Sequence, residues 1–194
     1  MSWHHIIPAS VLAGVWNYLV DRHVATQLRE ARVALRQYIL LAKRNLTDVE
    51  RVLDRIRAGS MPRPRTGYGS LAPLDVVEVH AITTAVVWPP WNIVEGPSSR
   101  SDDPKDEYLD RFTYGLSADE TTRMRAIALL DGEFENFLHA GPMPGSAALR
   151  ALSTAIARYR TFLTCDGPIR YRPEMWVRDA GGKWRKRRGG DPHP

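Results

Sequence analysis

The sequence predicts an α+β fold that is predominantly α-helical. Apolar side chains recur at every third or fourth position over several long stretches, which is the spacing of one helix face. Capping signals precede several of these stretches, and β-branched or aromatic residues without helical spacing are confined to short segments. With 194 residues and 43% hydrophobic residues, the chain is long enough to bury one core, which predicts a single domain over residues 1–194.

The first predicted helix follows Ser10, a good N-cap residue, and continues through the apolar positions that come after it. The next periodic stretch runs over residues 24–44 and predicts one continuous helix. Thr47 and Glu50 have the spacing of a capping box, so a third helix begins there. That helix is expected to end near Gly59.

Residues 60–72 are rich in proline and glycine and predict a flexible loop. Residues 73–88 combine a proline start with many β-branched residues; the run is too long for an ordinary strand, which favours a helix. Residues 92–95 predict a short strand closed by glycine and proline. Asp103, followed by a proline, predicts another helix start.

The last third of the chain predicts two helices and a hairpin. Ser117 and Glu120 form a second capping box before one helix, and Gly145 with Ser146 precedes another. The segment 174–194 is predicted to be a basic β-hairpin and tail.

Composition excludes several classes of protein. The single cysteine, Cys165, cannot form an intrachain disulfide or a cysteine-based zinc knuckle, so a metal site must use His, Asp, Glu or Asn. No apolar run reaches the roughly 20 residues of a membrane span. The N-terminus also lacks the basic residues of a signal peptide, so we expect a soluble protein.

The positive charge is local. The net charge is +5, and the C-terminal run alone supplies that excess. Residues 22–65 hold eleven basic and four acidic residues, whereas residues 102–135 hold ten acidic and four basic ones. This polarity suits a protein with one face for a polyanion, and nucleic-acid binding is predicted for Lys183, Arg185, Lys186, Arg187 and Arg188.

The string Trp3-His-His-Ile-Ile-Pro8 is the most informative motif, because two adjacent imidazoles have no obvious packing purpose there. Neighbouring side chains on an extended segment point to opposite faces, so one imidazole can bind a metal while the other accepts a proton. Phosphodiester hydrolysis needs this combination of a metal that offsets phosphate charge and a base that activates water.

With this string the chain resembles the His-Me finger (ββα-metal) nucleases, which include HNH and endonuclease VII-like enzymes. More particularly, it resembles the HHIIP-bearing nuclease domains of polymorphic bacterial toxins. The resemblance implies a small ββα-metal-like finger, and residues 10–58 would then be a large helical insertion within it.

The resemblance also implies roles for the candidate site residues. His4 would bind the metal, His5 would be the general base, and Asn92 would orient that base. Asp102 or Asp103 would supply a further metal ligand. One divalent ion is expected; two carboxylates favour Mg²⁺ or Mn²⁺, and the imidazole leaves Zn²⁺ or Ni²⁺ open.

The planar guanidinium of Arg100 would grip the scissile phosphate. The predicted function is therefore a metal-dependent endonuclease acting on DNA, with RNA left open as a substrate. As a toxin-type domain it would act as a monomer, be delivered by a secretion system into a target-cell cytoplasm, and meet a cognate immunity protein.

Two alternatives remain open at this point. One is a non-enzymatic basic helical module that binds nucleic acid or a protein partner. The other is an adaptor or immunity-like protein whose contact face is the acidic segment 102–135.

Overall fold

A computed structural model of the protein describes residues 2–59, 77–98, 116–141, 145–163, 167, 169–170, 172–187 and 191. Over these residues the fold is α+β and mostly helical, as the sequence predicted. The helices are α1 (Ala9–Leu19), α2 (Arg22–Gln27), α3 (Arg29–Leu41), α4 (Leu46–Arg57), α5 (Val77–Val87), α6 (Ala118–His139) and α7 (Ser146–Arg160). The strands are β1 (Ser2–His5), β2 (Ile93–Gly96), β3 (Trp176–Arg178) and β4 (Trp184–Lys186).

The chain divides into two compact units. The first unit comprises residues 1–8, 90–129 and 162–194 and contains all four strands with the start of α6. The second unit comprises residues 9–89 and 130–161 and contains α1 to α5, the rest of α6, and α7. None of the described helices is long and apolar enough to cross a membrane.

In the second unit, α3 packs along α7 and also contacts α1, α2, α4 and α5. Tyr38 of α3 is buried; its hydroxyl donates a hydrogen bond to the carbonyl of Leu12 at 2.9 Å, and its ring meets Phe134 edge-on at 5.5 Å. Burial raises the pKa of Tyr38 well above its ordinary value, so the hydroxyl remains a neutral donor.

The helix predicted over residues 24–44 is wrong as one continuous element. The structure has two helices there, α2 and α3, separated at Leu28, whose backbone is extended (φ −108°, ψ 119°). No proline or glycine marks this break in the sequence. On either side of the break α2 buries Val24 and Ala25 and α3 buries its own apolar face, so packing overrides local propensity at this point.

The predicted capping box at Thr47 is displaced by two residues. The structure uses Asn45 and Asp48: the Asn45 side chain accepts from the Asp48 N–H at 3.0 Å, and the Asp48 carboxylate accepts from the Asn45 N–H at 3.4 Å. Thr47 therefore lies inside α4. The predicted end of this helix is confirmed, because Gly59 has a positive φ of 69° just after the C-cap.

Most other predicted elements are confirmed where the structure describes them, but Ser10 lies inside α1, which begins at Ala9, and does not cap it. The side chains of Ser117 and Glu120 bond each other's backbone N–H at 3.2 and 2.8 Å before α6, and Ser146 begins α7. The stretch predicted as helix over residues 73–88 contains α5. The loop at residues 60–72 and the helix start at Asp103 lie outside the described residues.

In the first unit, β1 and β2 pair antiparallel although the helices α1 to α5 lie between them in sequence. A short parallel bridge joins Ile169 to Val94 on β2: the Ile169 N–H donates to Ile93 O at 3.0 Å, and the Glu95 N–H donates to Ile169 O at 2.8 Å. The predicted C-terminal hairpin is formed by β3 and β4, which pair antiparallel.

Candidate functional site

The antiparallel pair β1–β2 brings together the two sequence strings from which the site was predicted. His4 lies opposite Val94 and His5 lies opposite Ile93, so the histidine pair faces the strand that begins immediately after Asn92. Residues 6–92 lie between the two paired strands in sequence. The backbone of the histidine pair is therefore fixed by β-sheet hydrogen bonds rather than by a flexible N-terminus.

Asn92 is fully buried and connects the end of β1 to the turn before β2. Its side-chain oxygen accepts from the Ile7 N–H at 2.6 Å, and its side-chain nitrogen donates to the Ile7 carbonyl at 2.9 Å. Its own carbonyl accepts from the Ile6 N–H at 2.9 Å. Asn92 thus fixes the backbone directly after His5. These bonds restrain the backbone position of β1. Asn92 was predicted on a strand, but it lies in a 3-10 turn one residue before β2 begins.

Arg123, which was not predicted as a site residue, fixes the same turn from α6. Its side chain is almost fully buried and donates from Nε to Trp91 O and from an Nη to Pro90 O, both at 3.2 Å. A signal was present, because Arg123 lies four residues before Ile127, within the apolar stripe predicted to face the core.

The His4 imidazole contacts the chain just after β2. Its Nε2 lies 3.0 Å from Pro97 O. Since a carbonyl only accepts, Nε2 carries the hydrogen in this contact, and the lone pair of a neutral ring is then on Nδ1. A backbone carbonyl that holds one ring nitrogen is the usual support of a metal-bound histidine, so His4 fits the predicted role of a ligand.

Trp176 and Gly96 define the space beside His4. A Cβ on Gly96 would lie 2.7 and 2.8 Å from two atoms of the Trp176 ring and 3.0 Å from His4 Cδ2. Only glycine therefore allows the indole and the imidazole to approach the strand this closely.

His5 lies on the opposite face of the strand pair, which it shares with Ile93 and Glu95. Its Nε2 is shielded from solvent, although the residue as a whole is only half-buried. On this face the Glu95 carboxylate accepts from Arg170 at 3.1 Å. The two imidazoles are thus on different faces of the strand pair, as the alternation of the strand predicted.

The C-terminal residues predicted to bind nucleic acid differ in whether their side chains are bonded within the protein or exposed to solvent. Arg185 makes two hydrogen bonds to the Asp191 carboxylate, at 2.8 and 2.7 Å. Arg187 is almost fully buried and donates from Nε to Glu174 O at 2.8 Å. Both guanidinium groups thus stabilise the hairpin. Lys183 is exposed.

The remaining predicted site residues are not described by the structure. These are Arg100, Asp102, Asp103 and Arg188, together with the side chain of Lys186. Among the residues whose placement is given, no group of three His, Cys, Asp or Glu side chains is arranged to hold a metal ion. His4 is accordingly the one predicted metal ligand whose surroundings are known.

Comparison with protein-family models, curated proteins and solved structures finds no match to this chain.

Proposed function

We propose that the protein is a metal-dependent endonuclease that hydrolyses phosphodiester bonds of DNA, with its reactive residues on the β1–β2 pair. The observation that supports this most is the pairing of the His4–His5 strand with β2, from which residues 6–92 separate it in sequence. A chain that only needed to bury a helical core would have no need to hold two adjacent imidazoles on a short strand.

In this proposal His5 removes the proton from the attacking water. The Asn92 bonds to the Ile7 backbone, at 2.6 and 2.9 Å, limit the movement of β1 and so hold the His5 backbone in one position. A positioned base loses less entropy at the transition state than a mobile one, which is the contribution we assign to Asn92.

His4, with Asp102 or Asp103, would hold one divalent ion, with Mg²⁺ or Mn²⁺ favoured and Zn²⁺ or Ni²⁺ as alternatives. Such an ion supplies Lewis-acid stabilisation of the charge that develops on the phosphate oxygens. The Pro97 carbonyl fixes the His4 ring, and Arg100 would bind the phosphate. By resemblance, the protein would be an antibacterial toxin domain with an immunity protein as its inhibitor.

A plasmid-nicking assay tests the proposal. Supercoiled DNA is incubated with the protein and Mg²⁺, Mn²⁺, Zn²⁺, Ni²⁺ or EDTA, and the same series is run with the His5→Ala variant. We expect nicking with at least one metal, none with EDTA, and a loss of at least about 100-fold in rate for His5→Ala, since a general base contributes this much.

His23→Ala is the matched control, because His23 is exposed on α2 and its side chain has no role in the proposal. It should nick DNA at the wild-type rate. Metal-independent DNA retardation that persists in His5→Ala, without nicking, would instead support the non-enzymatic binding module. If neither nicking nor retardation occurs, the endonuclease proposal is wrong.

A further inference from the structure

Three arginines form a row along the exposed face of α3. Arg29, Arg32 and Arg36 are spaced by three and four residues, which places them on one side of the helix, and all three are exposed. The opposite side is buried in the core and consists of Ala31, Ala34, Leu35, Tyr38 and Ile39. The row is about 10 Å long, because each residue adds about 1.5 Å along the helix.

The described surroundings of this arginine row contain no carboxylate partner for its charge. Across the described part of the chain, no carboxylate forms an ion pair with Arg29, Arg32 or Arg36. The arginines on α4 differ, because Arg51 pairs with Asp48 at 3.2 Å and Arg57 pairs with Asp54 at 2.7 Å.

Glu30 is the one acidic residue on α3, and its side chain pairs with Arg150 of α7. Its carboxylate accepts from Arg150 at 3.1 Å. The hydrogen bond from its own backbone N–H, together with Ser146 and Arg150, lowers the pKa of Glu30 below its ordinary value. The carboxylate thus stays ionised and directed to α7, and the arginine row keeps its positive charge.

The surroundings of the arginine row also suit a phosphate chain. Val33 flanks the arginines on the same exposed side of α3 and is 44% exposed, so apolar surface that can contact sugar groups lies beside the row. Beside the row, Arg32 and Arg57 line one small depression together with Thr26. Guanidinium groups bind phosphate oxygens with two parallel hydrogen bonds, which lysines cannot do.

We infer that the exposed face of α3 binds the phosphodiester backbone of double-stranded nucleic acid through Arg29, Arg32 and Arg36, without reading base sequence. A row of about 10 Å matches about three successive phosphates on one strand of a duplex. The inference holds independently of hydrolysis. It also moves the main polyanion contact from the C-terminal run, where Arg185 and Arg187 are engaged, to the helical unit.

The test measures binding of a short fluorescent DNA duplex by anisotropy, in EDTA so that no cleavage occurs, over a series of salt concentrations. The triple variant R29Q/R32Q/R36Q should bind at least about tenfold more weakly at moderate salt. The slope of log affinity against log salt should fall in magnitude by about 2 to 3, since each phosphate contact contributes about 0.9.

The matched control is R125Q/R158Q/R160Q, which removes the same charge from α6 and α7 and leaves α3 intact. It should keep most of the wild-type slope, and the triple lysine variant of the arginine row should bind between wild type and the glutamine variant. Circular dichroism melts of all variants check that the fold is kept; Arg160 is half-buried and the other substituted arginines are exposed.

Equal weakening in the control and the arginine-row variant would overturn the inference, because the contact would then be net charge alone. Wild-type binding to anionic vesicles in preference to duplex would overturn it too, as would no duplex binding at all. Parallel titrations use duplex RNA and single-stranded DNA. Binding to both the DNA duplex and the RNA duplex supports recognition of the backbone. Binding to the single strand only contradicts the inference.

Discussion

Asn92 illustrates what the sequence can and cannot predict about a single residue. Its proximity to the histidine pair was predicted from a resemblance, and the strand pairing agrees with that expectation. Its hydrogen-bond partner was not predictable, because the side chain bonds the Ile7 backbone and not a side chain that a motif could name. Arg123 and Trp176 were not predicted for a similar reason. Arg123 bonds backbone carbonyls, and the Trp176 ring packs against the backbone at Gly96, so neither has a partner side chain that a motif could name.

Asn92→Ala should destabilise the protein by about 2–4 kcal/mol, because it leaves a buried N–H and a buried carbonyl of Ile7 without their partner. Urea unfolding measures this. Asn136→Ala is the matched control: Asn136 is exposed on α6, and its replacement should change the free energy of unfolding by less than about 0.5 kcal/mol. Similar values for the two variants would contradict the role given to Asn92.

Two glycine-to-alanine changes should have opposite signs. Gly96→Ala should destabilise by about 1–3 kcal/mol, because its Cβ would overlap the Trp176 ring. Gly132→Ala should stabilise by about 0.5–1 kcal/mol, since it lies inside α6 with nothing within 4 Å of the added carbon. Thermal unfolding of both variants checks the pair, and a neutral Gly96→Ala would show that the indole does not pack on β2.

Among the secondary-structure elements, capping chemistry and apolar spacing predicted most helices because both are local. The capping box at Ser117 was predicted correctly. The box before α4 was predicted two residues too late, because Thr47 with Glu50 and Asn45 with Asp48 both have the required spacing in the sequence. The break at Leu28 has no local signal and follows from packing. The pairing of β1 with β2 is likewise non-local, and without the motif resemblance no sequence pattern would have joined them.

The start of α6 should be sensitive to acid. Burial raises the pKa of Glu120, but hydrogen bonds from Ser117 and Arg172 outweigh it, so the pKa of this carboxyl lies below its ordinary value. Stability from such a group is present above the unfolded-state pKa and is lost as pH falls through the folded-state pKa. The stability advantage of wild type over Glu120→Gln should therefore be constant near neutral pH and shrink below about pH 4.5.

Urea unfolding at several pH values, from about 7 to about 3.5, measures this difference. Glu50→Gln serves as a control, because Glu50 is exposed on α4 and no ion pair of its side chain occurs among the described residues. Its difference from wild type should change little with pH. An advantage over Glu120→Gln that grows on acidification would contradict the account.

At the scale of the whole molecule, charge counting predicted polyanion binding, but it did not indicate which charges the fold leaves available to a partner. The C-terminal run dominates the net charge, yet Arg185 and Arg187 are held by Asp191 and a backbone carbonyl. Within segment 22–65, the α3 arginines Arg29, Arg32 and Arg36 form no ion pair with a carboxylate of the described residues, and we therefore propose them as the contact instead. Composition reports how many charges a chain has, and only the fold determines which of them are neutralised.

The central claim is that the histidine pair on β1 lies at a divalent-metal centre. Titration with substoichiometric Mn²⁺, followed by NMR of the histidine side chains, tests it most directly. The paramagnetic ion should broaden the imidazole signals of His4 and His5 first and leave those of His23 and His139, exposed on α2 and α6, sharp at the same ratio. Broadening that begins at His23 or His139, or that affects all imidazoles equally, would contradict the claim.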